Sequence, residues 1–446
     1  MSALSTYVLS HEDDEIFLLG GFAGTGKTSL IAALVKSLNQ FKIKSVLLAP
    51  TGRAAKVLSG YSGRPASTIH RRIYTVANDQ SGTKFKLAEN QLQNAIFIVD
   101  EASMISGRSQ KDGGFGDGDL LQDLIEYVYS AQGCKLIFSG DVGQLPPVSM
   151  DFSPALNPKY LFENYKFKTK TAMLQEIVRQ EAGSAILALS MQLRKFEKEI
   201  PVLTLSGNDV EFIDSLNLQD SIENSIAEFG RENTLIVCRS NKQANLYNRQ
   251  IRNRILWFED EINAGDTLMA LSNNYFWLDP KSEAGFIANG QMMEIQKLIR
   301  EEEKYGLRFA DAMVIFPDYP GMGEVQIKII IDSIHVNEAS LPAETMRNLY
   351  NRITVEEYAD IANRRERLQQ IRKNPFFQAV QVKFGYAVTC HKSQGGQWDA
   401  VFVDQGYFVD EMWDRSYMRW LYTAVTRAKK KLFLVNLNPA FSGKSD

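Results

Sequence analysis

One stretch of the chain concentrates phosphate chemistry. Gly21-Phe22-Ala23-Gly24-Thr25-Gly26-Lys27-Thr28 satisfies G-x-x-x-x-G-K-[ST] at every fixed position. It lies between an apolar run, 15–20 (EIFLLG), that reads as a buried strand and an apolar-periodic stretch, 27–38, that reads as a helix. In that context the backbone of Gly21, Ala23, Gly24, Thr25 and Gly26 is expected to curl around a β-phosphate, with the partial positive charge of the helix N-terminus behind it. Lys27 is expected to reach the β/γ oxygens and Thr28 to ligate Mg²⁺.

About seventy residues further on, the apolar run 95–100 (AIFIVD) ends in Asp100-Glu101. An acidic pair after a strand is more often a capped turn. Downstream of a P-loop it reads instead as Asp100 holding Mg²⁺ through water and Glu101 polarising the attacking water. Together these residues predict a P-loop nucleoside triphosphatase. They do not say what the hydrolysis drives, because kinases, transporters, switches and motors share them.

The elements that must position this chemistry follow from hydropathy. Runs 44–49 (KSVLLA) and 135–140 (KLIFSG) are further buried strands, so strands and helices alternate and a parallel sheet wrapped by helices is expected. The pattern restarts with 234–239 (TLIVCR), a helix near 241–256, and strands at 400–404 and 431–436. Between these, 267–334 carries short alternating segments such as 324–331 (EVQIKIII), with turns at Asn289-Gly290 and Pro320-Gly321, and reads as a small β domain. Residues 343–373 read as helical and charged.

Bulk composition narrows the classes without choosing among them. The 446 residues are 44% hydrophobic and 23% charged, as in ordinary globular chains. A net charge of −3 and a pI near 6.0 argue against coating nucleic acid through bulk charge, but not against a local basic channel. Cys134, Cys238 and Cys390 are too far apart for a zinc site or disulfide framework. With no secretory leader or apolar span in the sequence, a cytoplasmic location without membrane contact is expected.

The remaining motifs carry a resemblance. Residues 140–148 (GDVGQLPPV) resemble motif III of superfamily 1 helicases, 100–103 (DEAS) its motif II, and 49–55 (APTGRAA) its motif Ia. Residues 67–70 (STIH) resemble the next motif along. Near the other end, 388–395 (VTCHKSQG) resemble motif V and 421–428 (LYTAVTRA) motif VI. Residues 174–180 (LQEIVRQ) are similar to the short segment that carries an arginine. The wording is similar to the RecD-like and Dda-like branch, which moves 5′→3′, and the likeness covers about residues 15–435.

The resemblance implies an α/β fold of two RecA-like P-loop NTPase domains with parallel sheets. It places the first at 1–170, with a hairpin or wedge insertion at 71–94. The second would be built from 171–260 and 380–446, with an SH3-like β and helical insertion at 261–379; residues 286–291 (FIANGQ) resemble part of that SH3-like element. ATP would be hydrolysed in the cleft between the two domains by Lys27, Glu101, Gln144, Arg179 and Arg427. The amide of Gln144 would bond the γ-phosphate, and the two guanidiniums would offer it their forks from the second domain. Single-stranded DNA would be held by Thr51, Gly52, Thr68, His70, Thr389 and His391, through hydroxyls, amides and helix N-termini. Phe85, between Lys84 and Lys86, is the expected hairpin tip that stacks on the junction base pair.

The expected function is therefore an ATP-dependent DNA helicase moving 5′→3′, in DNA repair or recombination. Expected partners are single strands and single/double-strand junctions, with a single-strand-binding protein or nuclease as protein partner and a monomeric state. No glutamine stands in residues 1–15, where this branch carries one that reads adenine, so adenine selectivity is left open. Two other readings stay open: a single-strand translocase that displaces proteins without strong unwinding, and a nucleotide-dependent switch module.

Overall fold

The computed structural model describes residues 2–10, 12, 14–79, 82–107, 119–176, 184–194, 199–203 and 207–442. The chain divides into two units: Met1–Tyr74 with Leu87–Arg239 and Cys390–Asp446, and Thr75–Lys86 with Ser240–Thr389.

The first unit contains a six-stranded parallel sheet. Its order is Ala66–Thr68, Lys44–Ala49, Ala95–Val99, Lys135–Gly140, Glu15–Gly21, Lys168–Leu174. The apolar runs are continuous because both faces are covered. Alternate residues go to opposite sides: Ile16, Leu18, Phe97, Val99, Leu136 and Phe138 pack against the helix Leu120–Tyr129. Phe17, Leu19, Ile96, Ile98 and Ile137 pack against the helix Lys27–Gln40 and the N-terminal helix Ser2–Leu9, which buries Leu4 and Tyr7. In-register parallel pairing, such as Gly20 with Gly140 and Val99 with Phe138, brings the carboxyl ends of the strands to one edge.

The same unit holds a second parallel array: Thr234–Cys238, Trp398–Asp404, Ala428–Val435 and Val210–Ile213, in that order. The two parallel sheets are those expected of paired RecA-like domains.

In the second unit, five strands close into a barrel: Thr267–Ala270, Met292–Lys304, Leu307–Ile315, Val325–Ile330 and Val380–Phe384. Its longest hairpin turns on Tyr305-Gly306, both at positive φ (54° and 74°), the geometry of a two-residue type I′ loop. The helices Ala343–Glu357 and Arg364–Lys373 pack on this barrel through Leu349, Ile353 and Ile371. The helix expected near 241–256 is α-helical over Asn241–Gln250 and widens to a π-turn over Ile251–Ile255. Tyr74–Asp79 and Gly82–Leu87 form a two-stranded hairpin. Phe85 lies within the second of these strands rather than between the two, and its side chain lies outside the described residues. Among the described residues no helix is long and apolar enough to cross a membrane.

Candidate nucleotide and nucleic-acid site

The P-loop leaves the strand Glu15–Gly21 and enters the helix Lys27–Gln40, as its sequence required. Gly26 caps that helix at φ 80°, in the left-handed region where a side chain would be strained. The Lys27 ammonium lies over the loop, donating to the carbonyls of Gly21 (2.6 Å) and Phe22 (3.0 Å).

Neighbouring strands deliver the carboxylates. Asp100 follows Ala95–Val99; its oxygens accept from Thr28 Oγ1 (3.2 Å), Ser139 Oγ (2.8 Å) and the Glu101 N–H (3.0 Å). Thr28 and Asp100 thus stand together, a hydroxyl and a carboxylate of the kind that take a hard divalent cation sharing its other positions with phosphate and water. Among the described residues no group of three or more His, Cys, Asp or Glu side chains gathers as a metal cluster.

Glu101 occupies the left-handed region (φ 54°), unusual for a residue with a side chain. Burial, with Asp100 and Asp141 beside it, pushes its carboxyl above the usual range, while Arg427 and Lys27 pull it back. The carboxylate therefore senses one cation from each sheet: Lys27 from the first, Arg427 from the second. Glu101 Oε2, Gln144 Oε1 and Arg194 Nε have no hydrogen-bond partner among the described residues, although the atoms are buried. Such atoms suit a polar ligand in the cleft.

The second sheet contributes a set of groups that close over the P-loop. The Ala23 N–H donates to the Tyr422 hydroxyl (2.8 Å), which donates to Asp141 (2.6 Å). Arg194 donates to the Ala23 carbonyl (3.0 Å) and lies 4.6 Å from the Phe22 ring centroid. Leu145 N–H donates to Thr423 Oγ1 (2.9 Å), and Gln394 Nε2 to the Leu145 carbonyl (2.8 Å). Arg427 is buried, its guanidinium bonded to the Thr423 and Gly396 carbonyls and to Thr426 Oγ1.

Sequence reasoning named Lys27, Glu101, Gln144 and Arg427, and the structure brings all four to this cleft; Arg179 lies outside the described residues. It missed Tyr422, Thr423 and Arg194. The first two stand inside the segment resembling motif VI, which was the available signal; Arg194 follows an unremarked helix, Ala185–Gln192, and carried none.

The candidate nucleic-acid residues sit at strand and helix ends. Thr51 caps the helix Gly52–Ser62, accepting from Ala54 N–H (3.2 Å), and Thr68 caps Ile69–Ile73, accepting from Arg71 N–H (3.3 Å). An N-cap threonine accepts with its oxygen and retains an O–H to donate. Burial lowers His70 to about 4 and also lowers His391. Both rings are therefore neutral hydrogen-bonding groups at neutral pH. Thr389 ends the strand Ala387–Thr389.

A P-loop on one parallel sheet, met by Tyr422, Arg194 and Arg427 from the elements of the other, defines a P-loop NTPase of paired RecA-like cores. Comparison with known proteins refines the class. A family model described as an AAA domain matches residues 5–209, and one described as a UvrD-like helicase C-terminal domain matches 384–435. The ATP-dependent DNA helicase dda of Enterobacteria phage T4 is 24% identical over 94% of this chain and 93% of its own. The protein R530 of Acanthamoeba polyphaga mimivirus is 23% identical over 95% and 96%. The protein MJ1519 of Methanocaldococcus jannaschii is also 23% identical, but this chain spans only 36% of its length. In fold, a Bacteroides Pif1 helicase solved with ADP-AlF3 and single-stranded DNA covers 99% of this chain and 93% of its own at a TM-score of 0.51 and 14% identity. These matches make the chain similar to superfamily 1 helicases of the branch that includes Dda, RecD2 and Pif1.

Proposed function

We propose that the protein is an ATP-dependent DNA helicase that moves 5′→3′ along a single strand and separates duplex. The carrying observation is the P-loop gripped from the opposite sheet: Tyr422 and Arg194 hold the two sides of the Ala23 peptide, and Lys27 and Arg427 both act on Glu101. A nucleotide in this cleft touches groups of both sheets, so its chemical state alters their separation. Lys27 binds the β/γ oxygens, Glu101 takes a proton from the attacking water, and Arg427 stabilises charge on the transferred phosphoryl group. Thr28 and Asp100 would hold Mg²⁺, which would supply positive charge to the phosphate oxygens. Thr51, Gly52, Thr68, His70, Thr389 and His391 hold the strand, and Phe85 contributes to the wedge.

The test is unwinding of paired substrates that differ only in carrying a 5′ or a 3′ overhang. The expected result is ATP-dependent separation of the 5′-overhang substrate. Equal or preferred use of the 3′ overhang refutes the polarity. Stimulation of ATPase by single strands without any unwinding favours the protein-displacing translocase, and absence of stimulation favours the switch module.

A further inference from the structure

The segment 395–398 is held from both sides. From within its own sheet, Arg427 Nη1 donates to the Gly396 carbonyl (3.1 Å), and Trp398 N–H donates to the Arg427 carbonyl (2.9 Å). From the first sheet, Arg53 Nη2 donates to the Gln397 carbonyl (3.2 Å), and its guanidinium carbon lies 3.9 Å from the centroid of the Trp398 ring. Trp398 is only 4% exposed, so this is a desolvated stack. The fit is tight. A Cβ on Gly396 would fall 2.4 Å from the Trp398 ring and 3.1 Å from Arg53 Cδ; one on Gly395 would fall 3.0 Å from Thr51 Oγ1. Arg53 lies in the first turn of the helix Gly52–Ser62, whose N-cap is Thr51.

We propose that Arg53 is a positioning residue that couples the nucleotide cleft to the strand-binding end of its helix, acting through Trp398 and the carbonyls of Gly396 and Gln397. This rests on the function proposed above. Adjacent carbonyls, Gly396 and Gln397, are bonded to Arg427 and Arg53. A shift of Arg427 on nucleotide turnover therefore moves the partner of Arg53, and with it the helix that begins at Thr51. A flat guanidinium that stacks and donates in its plane holds only one separation of the two sheets, which a lysine ammonium at the same position does not reproduce.

The experiment measures ATPase in the full chain without DNA and across a titration with an unstructured oligodeoxynucleotide, for wild type, Arg53→Ala, Arg53→Lys and Trp398→Phe. The expected result for both Arg53 variants is a loss of about fivefold or more in kcat at saturating oligonucleotide. Their DNA-free rate and KM for ATP should stay at the wild-type level. Trp398→Phe, which keeps a ring, is expected to lose less. Arg53→Lys separates geometry from charge, since it keeps the cation. If either Arg53 variant regains the wild-type kcat at saturating oligonucleotide and merely needs more of it, Arg53 is an ordinary phosphate contact and the proposal is overturned. Loss of the DNA-free rate in parallel also overturns it, as a structural effect. A wild type that DNA does not stimulate removes the functional reading as well, whereas a stimulated wild type with equally stimulated variants removes only this inference.

Discussion

Among single residues, Glu101 makes the sharpest claim. Its carboxyl is pushed up first by burial and then by Asp100 and Asp141, against the pull of Arg427 and Lys27. A base works only when deprotonated, so kcat should fall as the pH drops through a midpoint above the ordinary glutamate value of about 4.3. Glu101→Gln should lower kcat by about 10²–10⁴ and abolish that acid limb while still binding ATP. A kcat–pH profile with its limb at or below the ordinary value contradicts the assignment. Lys27→Ala should reduce turnover by about 10² or more, since it removes the cation over the P-loop, without changing the thermal unfolding of the free protein. Tyr422 invites a finer test, because Tyr422→Phe deletes one oxygen that joins the Ala23 N–H to Asp141. A rise in KM for ATP with kcat/KM down about tenfold is expected, the scale of leaving a buried polar partner unmatched. At this scale the sequence was legible wherever function compresses residues into a contiguous motif. Arg194, which reaches the P-loop from a distant helix, is invisible to spacing because only tertiary packing creates its contact.

At the level of elements, buried strands could be read from composition and edge strands could not. Ala95–Val99 and Lys135–Gly140 are covered on both faces and stand out as apolar runs. Lys168–Leu174 (KTKTAML) and Val210–Ile213 lie at sheet margins, leave residues exposed, and carry no such run. The N-terminal helix escaped notice for a related reason: eight residues give too few turns for a period to show, and its place is fixed by Leu4 and Tyr7 in the core. The barrel unit contains an element prediction of its own. Arg252 is buried and forks onto both oxygens of Asp266 (2.8 and 2.9 Å), while Tyr386 donates to the same carboxylate (2.9 Å). Asp266→Ala would strand that guanidinium in the interior, at a cost of about 3–5 kcal/mol. Denaturant unfolding measures this directly, and a loss below about 1 kcal/mol would show that the pair is not holding the barrel to the helix Asn241–Gln250.

For the molecule as a whole, the two-sheet plan and the order of motifs could be read from the chain, but the distance between grips and cleft could not, because no local pattern encodes it. What the geometry does require is reciprocity. If nucleotide in the cleft changes how tightly a single strand is held, the strand must change nucleotide affinity by the same factor. Glu101→Gln permits an equilibrium measurement, since it is expected to bind ATP while turning over very slowly. Oligodeoxynucleotide affinity should differ between the nucleotide-free and ATP-bound variant, and ATP affinity should differ by an equal ratio between the DNA-free and DNA-bound forms. Couplings of this kind run from about 5- to 150-fold. Either sign satisfies a motor, because one grip must loosen as the other tightens. A ratio of one in both titrations means that the cleft and the strand site do not communicate, and hydrolysis at Lys27 and Glu101 could not then drive movement.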